Sequence, residues 1–213
     1  RVNAAGAMHV AESCRNTGAR LIQISTDYVF DGRKRTPYLE DDTPRPLNVY
    51  GMTKLAGERY ARRGIPECYI VRTSGLYGLH PCWGKRRSFV DTMLSLAAER
   101  KSIRVVDDEI LTPTFTEDLA AQIRKLIESG PPAGIYHATN SGECSWHDFA
   151  RSIFETSGIE IRLERITAAE WNARARRPAY SVLENNRLKS MGLDVMPPWE
   201  DALGRYLSAK LGS

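Results

Sequence analysis

Short apolar, β-branched runs alternate along this chain with helix-length amphipathic stretches. That alternation constrains the fold more than any other feature. Leu21-Ile22-Gln23-Ile24, Tyr69-Ile70-Val71, residues 103–106 and residues 134–138 read as buried strands. Residues 4–16, stopped by Gly18, and residues 50–62, stopped by Gly64, read as helices. Phe89, Val90, Met93, Leu94 and Ala97 recur on one helical face. Thr114 with Glu117 forms a capping-box pattern ahead of a helix carrying Leu119, Ile123 and Ile127. Ser145 with Asp148 repeats it ahead of Phe149, Ile153 and Phe154, and Gly158 ends that helix. Ile159, Ile161 and Leu163 alternate as a half-buried strand, and a last helix after Pro197-Pro198 buries Trp199, Leu203, Tyr206 and Leu207. A helix between two strands carries the chain back to the same end of the sheet, so the strands must pair in parallel. The predicted fold class is α/β with a parallel sheet.

Composition narrows the functional classes. The 213 residues suffice for one large domain or two small ones, and 42% apolar with 26% charged residues is ordinary globular usage. No run of about 18 apolar residues occurs, so no membrane helix is expected, and the first residues lack a charged-then-apolar leader. The net charge of +4 is spread among mixed charges. The basic runs Arg33-Lys34-Arg35, Lys85-Arg86-Arg87 and residues 174–177 suit solvated loops or contacts to an anionic ligand. They lack the aromatic interleaving of a nucleic-acid surface, so no nucleic-acid partner is expected. Cys14, Cys68, Cys82 and Cys144 form no Cys-x-x-Cys pair, and His9, His80, His137 and His147 are dispersed. No metal site or disulfide framework is expected, and reduced thiols point to the cytoplasm. The Pro-rich stretch at residues 43–46 reads as a connection, and no internal repeat is present.

Chemistry concentrates between residues 21 and 78. The first strand ends in Ser25-Thr26-Asp27, and in open α/β sheets ligands bind beyond the carboxyl ends of strands. The same residue types are common in caps and turns, so the strand end alone serves either reading. Downstream, Tyr50 and Lys54 lie four residues apart on one helix face. An ammonium beside a phenol stabilises the phenolate and lets the tyrosine give a proton to a carbonyl oxygen near neutral pH. Tyr-x-x-x-Lys is frequent on surface helices; it gains meaning from the hydroxyl-bearing strand end shortly upstream.

With its flanks, this region resembles a known family. Ser25-Thr26-Asp27-Tyr28-Val29-Phe30-Asp31-Gly32, then Pro46-Leu47-Asn48-Val49-Tyr50-Gly51 and Lys54-Leu55-Ala56-Gly57-Glu58, are similar to the extended short-chain dehydrogenase/reductase superfamily. Within it the likeness is to the dTDP-4-dehydrorhamnose reductase family. It continues through Val71-Arg72-Thr73-Ser74, Arg104-Val105-Val106-Asp107-Asp108, Pro113-Thr114, Gly134-Ile135-Tyr136-His137 and Arg177-Pro178-Ala179-Tyr180.

The resemblance implies a doubly wound, Rossmann-like parallel sheet lacking its first strands, with a small carboxyl-terminal α/β substrate domain. Residues 1–78 and 112–140 would form the remainder of the NAD(P)-binding domain, and residues 79–111 and 141–213 the interleaved substrate domain. Thr26 would hydrogen-bond the keto oxygen of a dTDP-sugar, Tyr50 would protonate it, and Lys54 would tune Tyr50 and hold the nicotinamide ribose. Asp27, Tyr28, Gly75, Ser88, Phe89 and Arg177 would contact substrate, with Arg177 meeting the diphosphate or standing as an ordinary surface arginine. Asn3, Ser25 and Thr73, with Tyr50 and Lys54, would contact NADPH or NADH. A homodimer is compatible with the family.

Tyr28 stands where related dehydratases carry Glu, which favours reduction over elimination. Gly75 stands where Trp is usual and Ser88 where Asn is usual, so an aromatic wall is absent and Gly75→Trp is expected to move preference toward dTDP-4-dehydrorhamnose. The Gly-rich phosphate turn does not occur in these residues, and the chain is expected to begin inside the family's fourth helix, as a truncated frame or fragment. The 213 residues alone are expected to bind NADPH negligibly, to lack reductase activity and to be poorly soluble. The runner-up readings are another nucleotide-sugar reductase or epimerase, and a non-catalytic subunit resembling the methionine adenosyltransferase β subunit.

Overall fold

Three of the apolar runs become neighbouring parallel strands because helices return the chain between them. The computed structural model describes residues 2–80 and 87–212; Arg1, Cys82, Lys85 and Arg86 lie outside the described residues. A π-helical turn, Val2–Gly6, leads into α1, Ala7–Thr17, which Gly18 ends in a left-handed cap. The elements β1 (Ile22–Thr26), α2 (Val49–Gly64), β2 (Tyr69–Thr73), β3 (Leu76–Tyr77) and α3 (Phe89–Glu99) follow. Then come β4 (Ser102–Val106), β5 (Ile110–Leu111), β6 (Thr114–Phe115), α4 (Thr116–Ser129), β7 (Gly134–His137), β8 (Cys144–Ser145) and α5 (Trp146–Thr156). The chain closes with β9 (Arg162–Ile166), α6 (Ala168–Trp171), α7 (Asn186–Ser190) and α8 (Trp199–Leu211).

The main sheet has the order β1-β2-β7, all parallel, with Thr26 level with Thr73. Its two faces carry separate apolar clusters. Ala11, Leu21, Ala61, Cys68 and Ile70 lie on the α1–α2 side, and Val71, Leu119, Leu126, Tyr136 and Leu188 on the α4–α7 side. A larger cluster lies beyond the sheet, where Phe149, Ile153, Trp199, Leu203, Tyr206 and Leu207 gather between α3, α5, α8 and the parallel β4–β9 pair. Helices on both faces of a parallel sheet constitute the expected doubly wound class.

Several local expectations are corrected. Gly64 does not stop α2; it is the helix's last residue and Ile65 caps it. A Cβ at Gly64 would lie 3.0 Å from the Ala11 Cβ, so a glycine there serves the packing of α1 on α2. The Thr114/Glu117 capping box does not form. Thr114 is drawn into β6, where its N–H donates to the Gly75 carbonyl (3.2 Å), and Phe115 takes the N-cap position of α4 without a side-chain cap. Ile127 is exposed, because α4 turns Leu119, Gln122 and Leu126 inward instead. The strand expected from Ile159 begins only at Arg162; Ile159 and Ile161 pack on the large cluster as loop residues. Ser145 does cap α5, accepting from the Asp148 N–H at 2.9 Å.

Candidate functional site

The carboxyl ends of β1 and β2 bring five small polar residues together. Thr26 and Thr73 are register partners, and Ser25, Thr26, Asp27, Thr73 and Ser74 are all buried. Thr26 Oγ1 donates to Asp27 Oδ1 at 2.9 Å and accepts from the Tyr28 N–H at 3.2 Å. Ser74 Oγ donates to Asp27 Oδ2 at 3.1 Å. Burial pushes the Asp27 carboxyl up to about 6, against hydrogen bonds from Ser181, Thr26 and Ser74 that favour the carboxylate. The Thr73 hydroxyl is buried and has no hydrogen-bond partner among the described residues.

Helix α2 sets Tyr50 and Lys54 against this strand end. Asn48 caps its first turn, accepting from the Gly51 N–H at 2.8 Å, and its amide donates to the Arg176 carbonyl at 2.9 Å. That contact holds the basic 174–177 segment against the helix start. Gly51 is required by proximity: a Cβ there would sit 2.1 Å from the Tyr28 carbonyl oxygen. The Tyr28 and Tyr50 rings meet edge to face at 5.9 Å. Tyr50 remains 49% exposed, open to a ligand. Lys54 Nζ donates to the Ile24 carbonyl at 2.6 Å, and burial holds its ammonium below its ordinary range against the opposing charge of Glu58. Burial raises the Tyr28 phenol, helped by the Asp27 charge and opposed by Arg177.

The remaining sequence candidates divide. Asn3 donates to Thr53 Oγ1 at 3.2 Å, beside the Lys54 turn. Arg177 faces Glu109 at 3.8 Å, and burial raises the Glu109 carboxyl. Ser25 gives its hydroxyl to Glu58 at 2.5 Å. Ser88 and Phe89 start α3: Ser88 caps it in a capping box with Asp91, and Phe89 packs on the larger cluster through Trp146 and Phe149.

Gly75 has a left-handed φ of +57°, and a Cβ there would meet Leu111 Cδ1 at 2.9 Å and the Thr112 carbonyl at 3.0 Å. Gly75→Trp is therefore expected to cost about 2–4 kcal/mol from backbone strain and overpacking, measured by urea unfolding. Wild-type stability in that variant would refute the crowding. The substitution is thus a poor instrument for testing substrate choice.

Two residues of the site were missed by sequence reasoning. Glu58, one turn beyond Lys54, accepts from Arg72 through Nε (2.9 Å) and Nη2 (2.7 Å), and both residues are buried. The available signal was Arg72 itself, a charge inside the apolar run of β2 that must find a counter-charge. The dispersed histidines also mislead in one case. His147 packs beside Asp107 and Asp148, with Nδ1 4.0 Å from each carboxylate. Those carboxylates are already met by Arg165, Arg151 and the Ser145 hydroxyl.

A parallel sheet whose strand-end hydroxyls face a Tyr-x-x-x-Lys helix places the chain in the class of Rossmann-fold reductases and their relatives. More narrowly, it belongs to the family described as RmlD substrate binding domain, whose model matches residues 1–211. It is 42% identical to the spore coat polysaccharide biosynthesis protein SpsK of Bacillus subtilis (strain 168), over 98% of this chain and 71% of that protein. It is 42% identical to a dTDP-4-dehydrorhamnose reductase of Streptomyces griseus, over 99% of this chain and 70% of that protein. Among solved structures, the dTDP-4-dehydrorhamnose reductase from Bacillus anthracis str. Ames in complex with NADP superposes with a TM-score of 0.92 at 40% identity, over 97% of this chain and 72% of the other.

Proposed function

We propose that this chain carries the catalytic residues of an NAD(P)H-dependent reductase that converts the 4-keto group of dTDP-4-dehydrorhamnose to the alcohol of dTDP-L-rhamnose. The observation that carries the reading is the half-exposed Tyr50 packed edge to face on Tyr28, two residues after the Thr26–Thr73 strand end, with Lys54 fixed on β1 one turn later. The orphaned Thr73 hydroxyl and the buried polar strand end suit the polar edge of a nicotinamide ribose. When bound, the reduced nicotinamide supplies a hydride to the keto carbon. Tyr50 gives its phenolic proton to the keto oxygen, which Thr26 holds by a hydrogen bond. Lys54, anchored on the Ile24 carbonyl, keeps positive charge near the phenol and lowers the cost of its deprotonation. Tyr28 lines the sugar, with Asp27 behind Thr26, and Arg177 meets the diphosphate through charge-assisted bonds.

The interleaved division, with residues 1–78 and 112–140 in the cofactor domain and residues 79–111 and 141–213 in the substrate domain, draws support from α3, β4, α5, β9 and α8, which gather on the large cluster; Tyr77 and Phe115 join that cluster from the first part, and Leu188 packs on the sheet from the second. A cytoplasmic location is supported by free Cys14, Cys68 and Cys144. Among the described residues no helix is long and apolar enough to cross a membrane. Pairing into a homodimer draws support from a groove along α2 in which Pro44, Pro46, Met52, Leu55, Ala56 and Tyr60 are joined by Arg59 and Arg63. The test is turnover of NADPH and NADH by the protein as its gene encodes it, with dTDP-4-dehydrorhamnose and with other nucleotide 4-keto sugars. Consumption with dTDP-4-dehydrorhamnose is expected; consumption only with another sugar would overturn the substrate, and with none the reading.

A further inference from the structure

The hydrogen bonds at Thr26 leave its proton committed. A hydroxyl has one proton and two lone pairs. Here the oxygen accepts from the Tyr28 N–H and the proton goes to Asp27 Oδ1. While Asp27 is a carboxylate, an acceptor only, Thr26 has nothing left to give a ketone oxygen. A protonated Asp27 reverses the bond: the acid donates to Thr26 Oγ1, and the threonine proton turns outward. The second carboxylate oxygen is held by Ser74 Oγ at 3.1 Å, so the carboxyl keeps its orientation in either state. Asp27 is 3% exposed, so solvent does not take part in the exchange.

We infer that Asp27 is a positioning residue for the ketone reduction, acting as a neutral carboxylic acid that turns the Thr26 hydroxyl toward the substrate oxygen. The inference rests on the reductase reading above. Asp27 keeps its proton through the turnover: hydride reaches the carbon, Tyr50 gives the proton to the oxygen, and Asp27 only sets the direction of one hydrogen bond. Coulomb forces favour the same state, since a buried carboxylate one residue away would oppose the negative charge growing on the keto oxygen.

The groups that face this carboxyl are mostly uncharged. Thr26 and Ser74 come from the strand ends and Ser181 from the carboxyl-terminal segment. Tyr28 is the adjacent titratable group, and Arg177 and Glu109 in turn face Tyr28. With the Asp27 carboxyl at about 6, the acid is present below that pH and is lost as pH rises through it. Activity tied to the acid must follow.

The experiment is the pH profile of kcat/KM from pH 5 to 9, which reports groups of the free enzyme. It compares the wild-type protein as its gene encodes it with Asp27→Asn, Ser74→Ala and Tyr50→Phe. The wild type is expected to fall above pH 6, by up to roughly a hundredfold, the scale of one lost oxyanion donor. Asp27→Asn should hold the acid-side rate through pH 7.5, because its amide NH₂ donates to Thr26 as the protonated acid does, while its oxygen accepts from Ser74. Ser74→Ala removes a bond that favours the carboxylate, so its break should move to higher pH. A wild-type break surviving in Asp27→Asn, or an unmoved break in Ser74→Ala, overturns the inference. The Ser74→Ala arm decides if Asp27→Asn does not fold. Absence of turnover by the wild type at every pH would instead overturn the reductase reading, and full turnover by Tyr50→Phe would remove only Tyr50 as the proton donor.

Discussion

Tyr50→Phe is expected to lower kcat for ketone reduction by roughly 10²–10⁴-fold, the usual worth of a positioned general acid. The change removes one oxygen and keeps the ring that meets Tyr28 edge to face at 5.9 Å. The residue is half exposed, so the core is untouched and the melting temperature should stay close to that of the wild type. Steady-state kinetics with dTDP-4-dehydrorhamnose and NADPH, beside a thermal melt, separate loss of chemistry from loss of fold. Near-normal turnover with the melt unchanged would remove Tyr50 from the mechanism.

Glu58→Ala is expected to have the largest effect on stability. It would leave the Arg72 guanidinium buried beside Phe30 (5.2 Å) without its counter-charge, and Ser25 without its acceptor. Breaking one partner of a buried pair costs about 3–5 kcal/mol, because the remaining charge has lost its water and gained nothing. For a chain of this size that is roughly a 10 °C fall in melting temperature. Replacing both partners, Glu58→Leu with Arg72→Met, should recover much of the loss, since no charge is then stranded. Urea unfolding of the three proteins checks this, and a loss below about 1 kcal/mol in Glu58→Ala would show that water reaches the pair. The pair also pins α2 to β1 and β2 one turn beyond Lys54, so its loss should loosen the placement of Tyr50.

The elements with long periodic faces were legible in the residues. Helix α8 buries Trp199, Leu203, Tyr206 and Leu207 as its spacing requires, and β1, β2 and β7 lie where the apolar runs stand. Their faces repeat over several turns or pairs, so the burial signal adds up within a short stretch of chain. Two-residue strands carry no such sum. β3, β5, β6 and β8 exist only because distant backbone comes within bonding distance, and β6 took Thr114 away from the cap its local pattern offered. Likewise, Gly64 has the composition of a helix stop, yet the approach of Ala11 settles its role.

The site follows the same division. By itself the sequence determined that Tyr50 and Lys54 share a helix face and that Ser25, Thr26 and Asp27 end a strand, because both are relations between near neighbours along the chain. Only the tertiary structure decided which groups answer them. Thr73 comes level with Thr26 through parallel pairing across 47 residues. Burial raises the Asp27 carboxyl, and Ser74 and Ser181 close on it from two other segments with hydrogen bonds that oppose the rise. Glu58 finds Arg72 across the sheet–helix interface. Hydrogen-bond direction, burial and charge balance depend on through-space distance, and that distance exists only once the crossovers have placed the strands side by side.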